Sequence, residues 1–392
     1  SVIHSLNLIK VKKIILDPVM VAKGGARLID DKAIEPIGRL VTSLNEESDL
    51  HEDGFVAMEK KLLRILSNRL RMQRDILAHP EILDQKINAP IFIHGMPRTG
   101  STKSQKILSK SGDFNWLVLW KTLNPSLISG NRDESEQSRI DDGIEFEDYF
   151  EKSSPENKVG HHFLAMEPEE DSFILEHSLV TNIFPAFCKI DGYAEWAATQ
   201  DVRIQFRYLR DTLKYLQWQG LADASKRWLL KCPMYYGLEH ELLDVFPDAH
   251  LVMTHRDPKI TLPSGMKILT YFYKPFSNRD ILDQVPLYVY GQAASMEKHL
   301  AIRKEIPDLK LIDIDYHEMT ASAETAIEKI YSFCGIDLKD TSKQKMLDWD
   351  ISNPRHKKGK HEYSLETYNL SADMIDEVYS EYLKHFKERF DW

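Results

Sequence analysis

The residues best placed to do chemistry lie in Pro90-Ile91-Phe92-Ile93-His94-Gly95-Met96-Pro97-Arg98-Thr99-Gly100-Ser101-Thr102. An apolar run enters a turn bounded by Gly95 and Gly100 and continues into polar residues suited to a helix start. Successive backbone N–H groups in such a turn, joined by the unpaired amides of the next helix, make a concave positive site for a tetrahedral anion. The Gly-x4-Gly-Ser-Thr spacing nearly matches the loop that cradles nucleoside triphosphates, in which a lysine follows the second glycine. Ser101 stands in that lysine's place, and the nearest cations are Arg98 and Lys103. A cradle with a displaced cation points to a ligand with a different terminal group. A glycine-bounded turn also occurs as a plain tight connection, so the motif needs support elsewhere in the chain.

Two downstream runs supply it. Arg227-Trp228-Leu229-Leu230-Lys231-Cys232-Pro233 and His250-Leu251-Val252-Met253-Thr254-His255-Arg256-Asp257-Pro258 are short apolar stretches that end in a cation. An open parallel sheet delivers ligand-binding groups at such strand ends. Together, Pro-Arg-Thr-Gly-Ser-Thr, Leu-Leu-Lys-x-Pro, and Phe246-Pro247-Asp248-Ala249 followed by His-Arg-Asp-Pro and Ser264 resemble the sulfotransferases that use 3′-phosphoadenosine-5′-phosphosulfate (PAPS). The resemblance runs from about Asn68 to the C-terminal segment and is nearest to the bacterial-type branch related to protein-tyrosine sulfotransferases.

The resemblance implies roles. Arg98 would contact the 5′-phosphosulfate, with Thr99, Gly100, Ser101, Thr102 and Lys103 adding amides and hydroxyls. Lys231 would face the bridging or sulfuryl oxygens, and Arg256 with Ser264 would bind the 3′-phosphate. The basic stretch Asn353 to Tyr363 resembles the family's C-terminal loop that closes on that phosphate, here through Arg355, Lys358 and Gly359. Sulfuryl transfer is an in-line displacement in which cations and amides can neutralise the leaving group, so no metal is expected.

The acceptor must also lose a proton, for which a histidine or carboxylate is the usual base. Two familiar base positions are replaced, by Lys121 after Trp120 and by Tyr235 in Lys231-Cys232-Pro233-Met234-Tyr235. His161-His162, ahead of Pro168-Glu169-Glu170, resembles the family's histidine before Pro-Glu-Glu. His161 is the better match by offset and His162 the second candidate, with Glu170 either orienting the base or starting a helix.

These groups need a scaffold. Strands are expected at 91–94, 116–120, 228–231, 250–255 and 309–315, separated by helical segments. The fold class is therefore α/β, a P-loop-type three-layer α/β/α arrangement with a mainly parallel central sheet and an N-terminal helical cap. The cap covers residues 1–87 and the sulfotransferase-like domain 88–392, with a helical insertion at about 143–222 and the cofactor-closing loop at about 353–363. Leu62, Ile65, Leu66 and Leu70 repeat at helical spacing until Pro80. The basic residues Lys60, Lys61, Arg64, Arg69, Arg71 and Arg74 read as a solvated face. Gly130 to Asp142 reads as a loop, 169–219 as a long helical stretch whose aromatics are mostly core, and helices are expected near Lys259, over 287–305 and over 322–334.

Composition narrows the partners. A net charge of -10 and a pI near 5.9 argue against nucleic-acid binding. Cys188, Cys232 and Cys334 are odd in number and far apart, which suits reduced thiols better than a disulfide framework or a zinc knuckle. No apolar run has transmembrane length and no signal-peptide pattern opens the chain, so a cytoplasmic enzyme with a small-molecule acceptor and no membrane partner is expected. Two other classes stay open: a P-loop nucleoside or small-molecule kinase, which would need a magnesium-binding acid such as Asp257, and a catalytically inactive nucleotide-binding protein. Acceptor identity and oligomeric state are not legible at this level.

Overall fold

The structure is a computed structural model that describes residues 31–354 and 363–392. Five strands, β1 (Ile91–His94), β2 (Phe114–Trp116), β3 (Arg227–Lys231), β4 (His250–His255) and β5 (Leu311–Asp315), form one sheet in the order β2-β3-β1-β4-β5. All four neighbouring pairs are parallel. β1 is buried at every position, because a central parallel strand is covered on both faces and reads as a continuous apolar run. In register, Ile91 lies between Leu229 and His250, and Ile93 between Lys231 and Val252. The C-terminal ends of β1, β3 and β4 therefore come together. Those ends carry the cradle, Lys231 and Arg256.

The helices that hold these ends in place are α1 (Asp31–Glu46), α2 (Glu52–Ala78), α3 (Ser101–Ser109), α4 (Gln137–Ser153), α5 (Arg203–Trp218), α6 (Pro258–Tyr273), α7 (Val285–Glu305) and α8 (Ala323–Cys334). Ile107 and Leu108 of α3 and Ile327 and Ile330 of α8 pack on one face of the sheet, against Ile91, Ile93, Leu229 and Val252. Phe206, Leu209 and Leu213 of α5 pack on the other face with Phe92, Trp228, Leu230 and Leu251. Ile65 and Leu62 of α2 join that second core, so the N-terminal helices pack on the same hydrophobic centre as the sheet. Met253 meets Leu262 and Met266 of α6 and Val289 and Met296 of α7 in a third core.

Helix boundaries follow local chemistry. His51 caps α2, its Nδ1 accepting from the Gly54 amide at 2.9 Å. Asp257 caps α6, its carboxylate accepting from the Lys259 amide at 2.9 Å, and Pro258 occupies the first turn, where a missing N–H costs nothing. Gly335, in the left-handed region at φ 64°, ends α8 where that helix was expected to end.

Four sequence expectations need correction. The strand expected at 116–120 is Phe114–Trp116, and Leu119–Leu123 is a short helix. A short apolar run buried on all sides has no period that separates strand from helix. The loop expected to Asp142 gives way to α4 at Gln137. The helical stretch expected over 169–219 is broken into Ser172–Glu176, Asp191–Ala198 and α5. Lys61, read with a solvated basic face, is buried against Glu176, with Nζ 2.5 Å from Oε1 and 3.7 Å from the Phe187 ring centre.

Candidate active site

The cradle is built by backbone that few residues tolerate. Gly95 has φ 134°, and a Cβ there would lie 2.3 Å from the Thr254 carbonyl oxygen, so β1 and β4 approach too closely for any side chain. Gly100 has φ 97°, and Arg98 adopts φ 75° between them. The Thr99 hydroxyl donates to the Met96 carbonyl at 2.6 Å and sits 2.6 Å from the Thr254 hydroxyl, which pins the turn to β4. Among the described residues no side chain caps the start of α3, so its first-turn amides have no side-chain acceptor there. Ser101 is buried there and Thr102 half-buried. Lys103 pairs at 2.7 Å with Asp350, on the helix Asp340–Ser352, and its ammonium belongs to that packing contact.

Arg98, Arg256 and Ser264 meet beside the cradle. Arg98 donates from Nε to the Ser264 hydroxyl and from Nη1 to the Gly160 carbonyl, both at 3.1 Å. Its own carbonyl accepts from Arg256 Nη1 at 3.2 Å. Arg256, at the end of β4, lies over the Tyr316 ring at 3.9 Å, and its Nε is buried without a hydrogen-bond partner among the described residues. Burial pulls the Arg98 guanidinium below its usual pKa, and the charge on Arg256 adds to that. Tyr363, where the described chain resumes, acts on the same guanidinium. Arg355, Lys358 and Gly359 lie outside the described residues.

The second half of the site is a chain of charges. Lys231, nine-tenths or more buried at the end of β3, donates to Glu170 Oε1. Glu170 Oε1 is 4.0 Å from His161 Nδ1, and His161 Nε2 is 2.9 Å from Glu169 Oε1. Burial works against an ionised Glu169, yet the His161 ring and Lys231 hold its carboxyl below the usual range. Donor atoms of His161, Glu169 and Glu170 lie within 4.8 Å of one another, and Lys231 brings a cation to them. His162 is turned elsewhere, with Nε2 2.9 Å from Glu151 on α4.

Of the residues singled out in the sequence, the fold thus brings together the turn from Arg98 to Thr102, Arg256, Ser264, Lys231 and His161. It leaves Lys103 and His162 in other contacts. Glu169, not Glu170, bonds His161. The replaced base positions are occupied structurally: Lys121 donates to the Leu221 carbonyl at 2.9 Å, and the Tyr235 hydroxyl donates to Asp171 Oδ2 at 2.5 Å. Asp171 was missed in the sequence. Burial pushes its carboxyl up to about 7, and Oδ1 has no partner among the described residues. The run Glu169-Glu170-Asp171 carried the signal, since three adjacent acids in an apolar stretch must be paired or shifted once buried.

Residues 90–340 match the model of the sulfotransferase family. No curated protein matches the sequence significantly. Among solved structures, the chain is similar to the sulfotransferase STF9 from Mycobacterium avium, with 23% identity over 95% of this chain and 98% of that one and a TM-score of 0.80. It is also similar to the sulfotransferase STF1 from Mycobacterium tuberculosis H37Rv, with 26% identity over 90% and 94% of the two chains and a TM-score of 0.73. With its all-parallel sheet, its uncapped cradle and the cations at three strand ends, this chain belongs to the sulfotransferase family, whose enzymes take their sulfuryl group from PAPS.

Proposed function

We propose that this sulfotransferase holds the 5′ end of PAPS in the Gly95–Thr102 turn and its 3′-phosphate between Arg256 and Ser264, with His161 as the base that deprotonates a small-molecule acceptor. The residues fit such a donor. Among the described residues, the amides at the start of α3 have no side-chain cap and the Nε of Arg256 has no hydrogen-bond partner, and both kinds of donor suit phosphate oxygens. When bound, PAPS supplies the activated sulfuryl group. Arg98, Lys231 and the turn amides then place positive charge where negative charge grows on the departing phosphate. Arg355, Lys358 and Gly359 are proposed to close on the same ligand.

The observation that carries the base assignment is the contact of His161 Nε2 with Glu169 at 2.9 Å. A carboxylate accepting from Nε2–H leaves the Nδ1 lone pair to take a proton, and Nδ1 faces Glu170 and Lys231. Glu169 is itself fixed, because Gln105 of α3 donates to its carbonyl at 2.9 Å. Glu170 has a different part: it holds the Lys231 ammonium until a sulfuryl oxygen offers a better partner. Around His161, Phe163 and Phe272 lie 4.7 and 5.6 Å from its ring, which favours an acceptor with an apolar body behind the reacting hydroxyl or amine. A kinase reading loses its magnesium acid, since Asp257 caps α6. Three buried free cysteines support the cytoplasm as the location.

The test incubates the protein with radiolabelled PAPS or ATP and a set of phenols, alcohols, sugars and amines. Sulfate transfer that persists without magnesium supports the proposal. Phosphate transfer from ATP, or binding of PAPS with transfer to nothing, contradicts it.

A further inference from the structure

Three consecutive acids close over the end of β3, of which Glu169 bonds His161 and Glu170 bonds Lys231. The backbone there has little sheet to hold it. β3 ends at Lys231, the Cys232 amide makes one more ladder bond to the Ile93 carbonyl at 3.2 Å, and Pro233 has no N–H to give. The third acid, Asp171, takes over. Its amide donates to the Lys231 carbonyl at 3.2 Å, and its carboxyl accepts from the hydroxyl of Tyr235 at 2.5 Å. Both side chains are buried. The Tyr235 ring is fixed in turn by Phe92 of β1 and Phe206 of α5, each 5.5 Å away centre to centre. Burial pushes the Tyr235 phenol well above its ordinary pKa and the neighbouring Asp171 adds to that, so the hydroxyl keeps its proton and cannot serve as the base whose place in the motif it takes.

We propose that Tyr235 and Asp171 are positioning residues for sulfuryl transfer: their hydrogen bond anchors the run 169–171 to the turn after β3, which fixes Glu170 on the Lys231 ammonium and Glu169 on His161. This rests on the roles proposed above for Lys231 and His161. The links between the pair and those two groups are short. Glu170 and Asp171 are neighbours in the chain, the Glu170 amide donates to Glu169 Oε1 at 2.8 Å, and Glu169 Oε1 is the atom 2.9 Å from His161 Nε2. A shift of the Asp171 backbone therefore moves both carboxylates relative to β3. Among the described residues, no hydrogen bond of the pair reaches the cradle, Arg256 or Ser264, so donor binding and turnover should separate when the pair is broken.

The experiment counts folded sites by calorimetric titration of the full chain with 3′-phosphoadenosine-5′-phosphate. Turnover per site is then measured from radiolabelled PAPS to whichever acceptor of the panel above the wild type sulfates fastest. Tyr235→Phe keeps the ring and removes one oxygen. It should turn over at least about tenfold more slowly, with nucleotide affinity within about twofold of wild type. Asp171→Leu should fall alike, and Asp171→Asn, whose amide oxygen still accepts from the Tyr235 hydroxyl, should recover to within about threefold of wild type. Because the two side chains act as a unit, Tyr235→Phe combined with Asp171→Leu should be no slower than either alone. Tyr235→Phe with wild-type turnover per site, Asp171→Asn as slow as Asp171→Leu, or losses that multiply in the double variant would each overturn the proposal. Should Tyr235→Phe bind no nucleotide, since it leaves the Asp171 carboxyl buried without that partner, the double variant decides, because it removes both polar groups. It must bind the nucleotide and stay slow; wild-type turnover, or no binding, overturns the proposal. Lys231→Ala, measured in parallel, separates this inference from the reading beneath it. Wild-type turnover in Lys231→Ala removes the role of Lys231 and the positioning pair with it, whereas a slow Lys231→Ala beside a fast Tyr235→Phe removes the pair alone.

Discussion

At the residue scale, adjacent histidines of one sequence motif have different surroundings. His161 is held by Glu169 and faces Lys231 through Glu170, while His162 reaches Glu151 on α4. His161→Ala should lower turnover by about a hundredfold or more, as for other lost general bases, while His162→Ala should stay within a few-fold of wild type. Steady-state rates on an acceptor that ionises only at high pH would check this, since an acceptor already ionised needs no base. Asp171 gives a prediction of another kind. Its carboxyl rises from 3.8 to about 7 in the folded protein, because it is buried. Between those values the folded state holds more protons than the unfolded chain, so this group's contribution to stability falls as pH rises, by about 2–3 kcal/mol from pH 5 to 8. Asp171→Asn keeps an acceptor for the Tyr235 hydroxyl and removes the charge. Thermal unfolding should then depend less on pH, and the midpoint at pH 8 should rise by a few degrees; an unchanged pH dependence would mean that Asp171 does not bind the proton. The cations and His161 were legible in the sequence because they sit at fixed offsets from glycine and proline. Glu169 and Asp171 were not singled out, because which acid of a consecutive run turns toward a histidine depends on backbone angles that spacing does not encode.

At the element scale, the site depends on strand ends brought into register more than on any single loop. β1 lies between β3 and β4, so the cradle, Lys231 and Arg256 share one edge of the sheet. Gly95 is where that register is least tolerant. Gly95→Ala would set a methyl group 2.3 Å from the Thr254 carbonyl at φ 134°. It should either unfold the turn or part β1 from β4, costing about 2 kcal/mol or more of stability. Chemical denaturation measures the loss, and a variant as stable as wild type that still binds 3′-phosphoadenosine-5′-phosphate, the product left by PAPS, would show that the close approach is unnecessary. Elements with a clear period or a clear stop were legible: β1 and β4 as apolar runs, α6 from Asp-Pro, α8 from its terminal glycine. Trp116 to Trp120 misled because it is held by a non-helical segment, through the Trp120 amide bonding the Ala165 carbonyl and Val118 pairing with Pro168, contacts distant in sequence. The exposure of Leu70 was hidden in the same way, since Leu70 repeats with the buried Leu62 and Ile65 in sequence and parts from them only when burial is known.

At the scale of the whole molecule, the proposal has an acidic protein bind a highly anionic donor by concentrating a few cations in one place. Arg98, Arg256 and Lys231 converge from three strand ends, and around them uncapped amides add positive potential without net charge. The parallel sheet with helices on both faces could be read from the order of its runs, and the donor from the resemblance of the motifs to the PAPS-dependent sulfotransferases. The packing of the N-terminal helices on the sheet's own core could not, since nothing in α2 says which apolar surface it covers. The account rests on a site shaped for a nucleotide with phosphates at both its 3′ and 5′ positions. Calorimetry of 3′-phosphoadenosine-5′-phosphate against adenosine 5′-phosphate, on wild type and Arg256→Ala, tests it without knowledge of the acceptor. The doubly phosphorylated ligand should bind wild type at least tenfold more tightly, and Arg256→Ala should remove that preference at a cost of about 2–4 kcal/mol. Equal affinity of the wild type for the two nucleotides would contradict it.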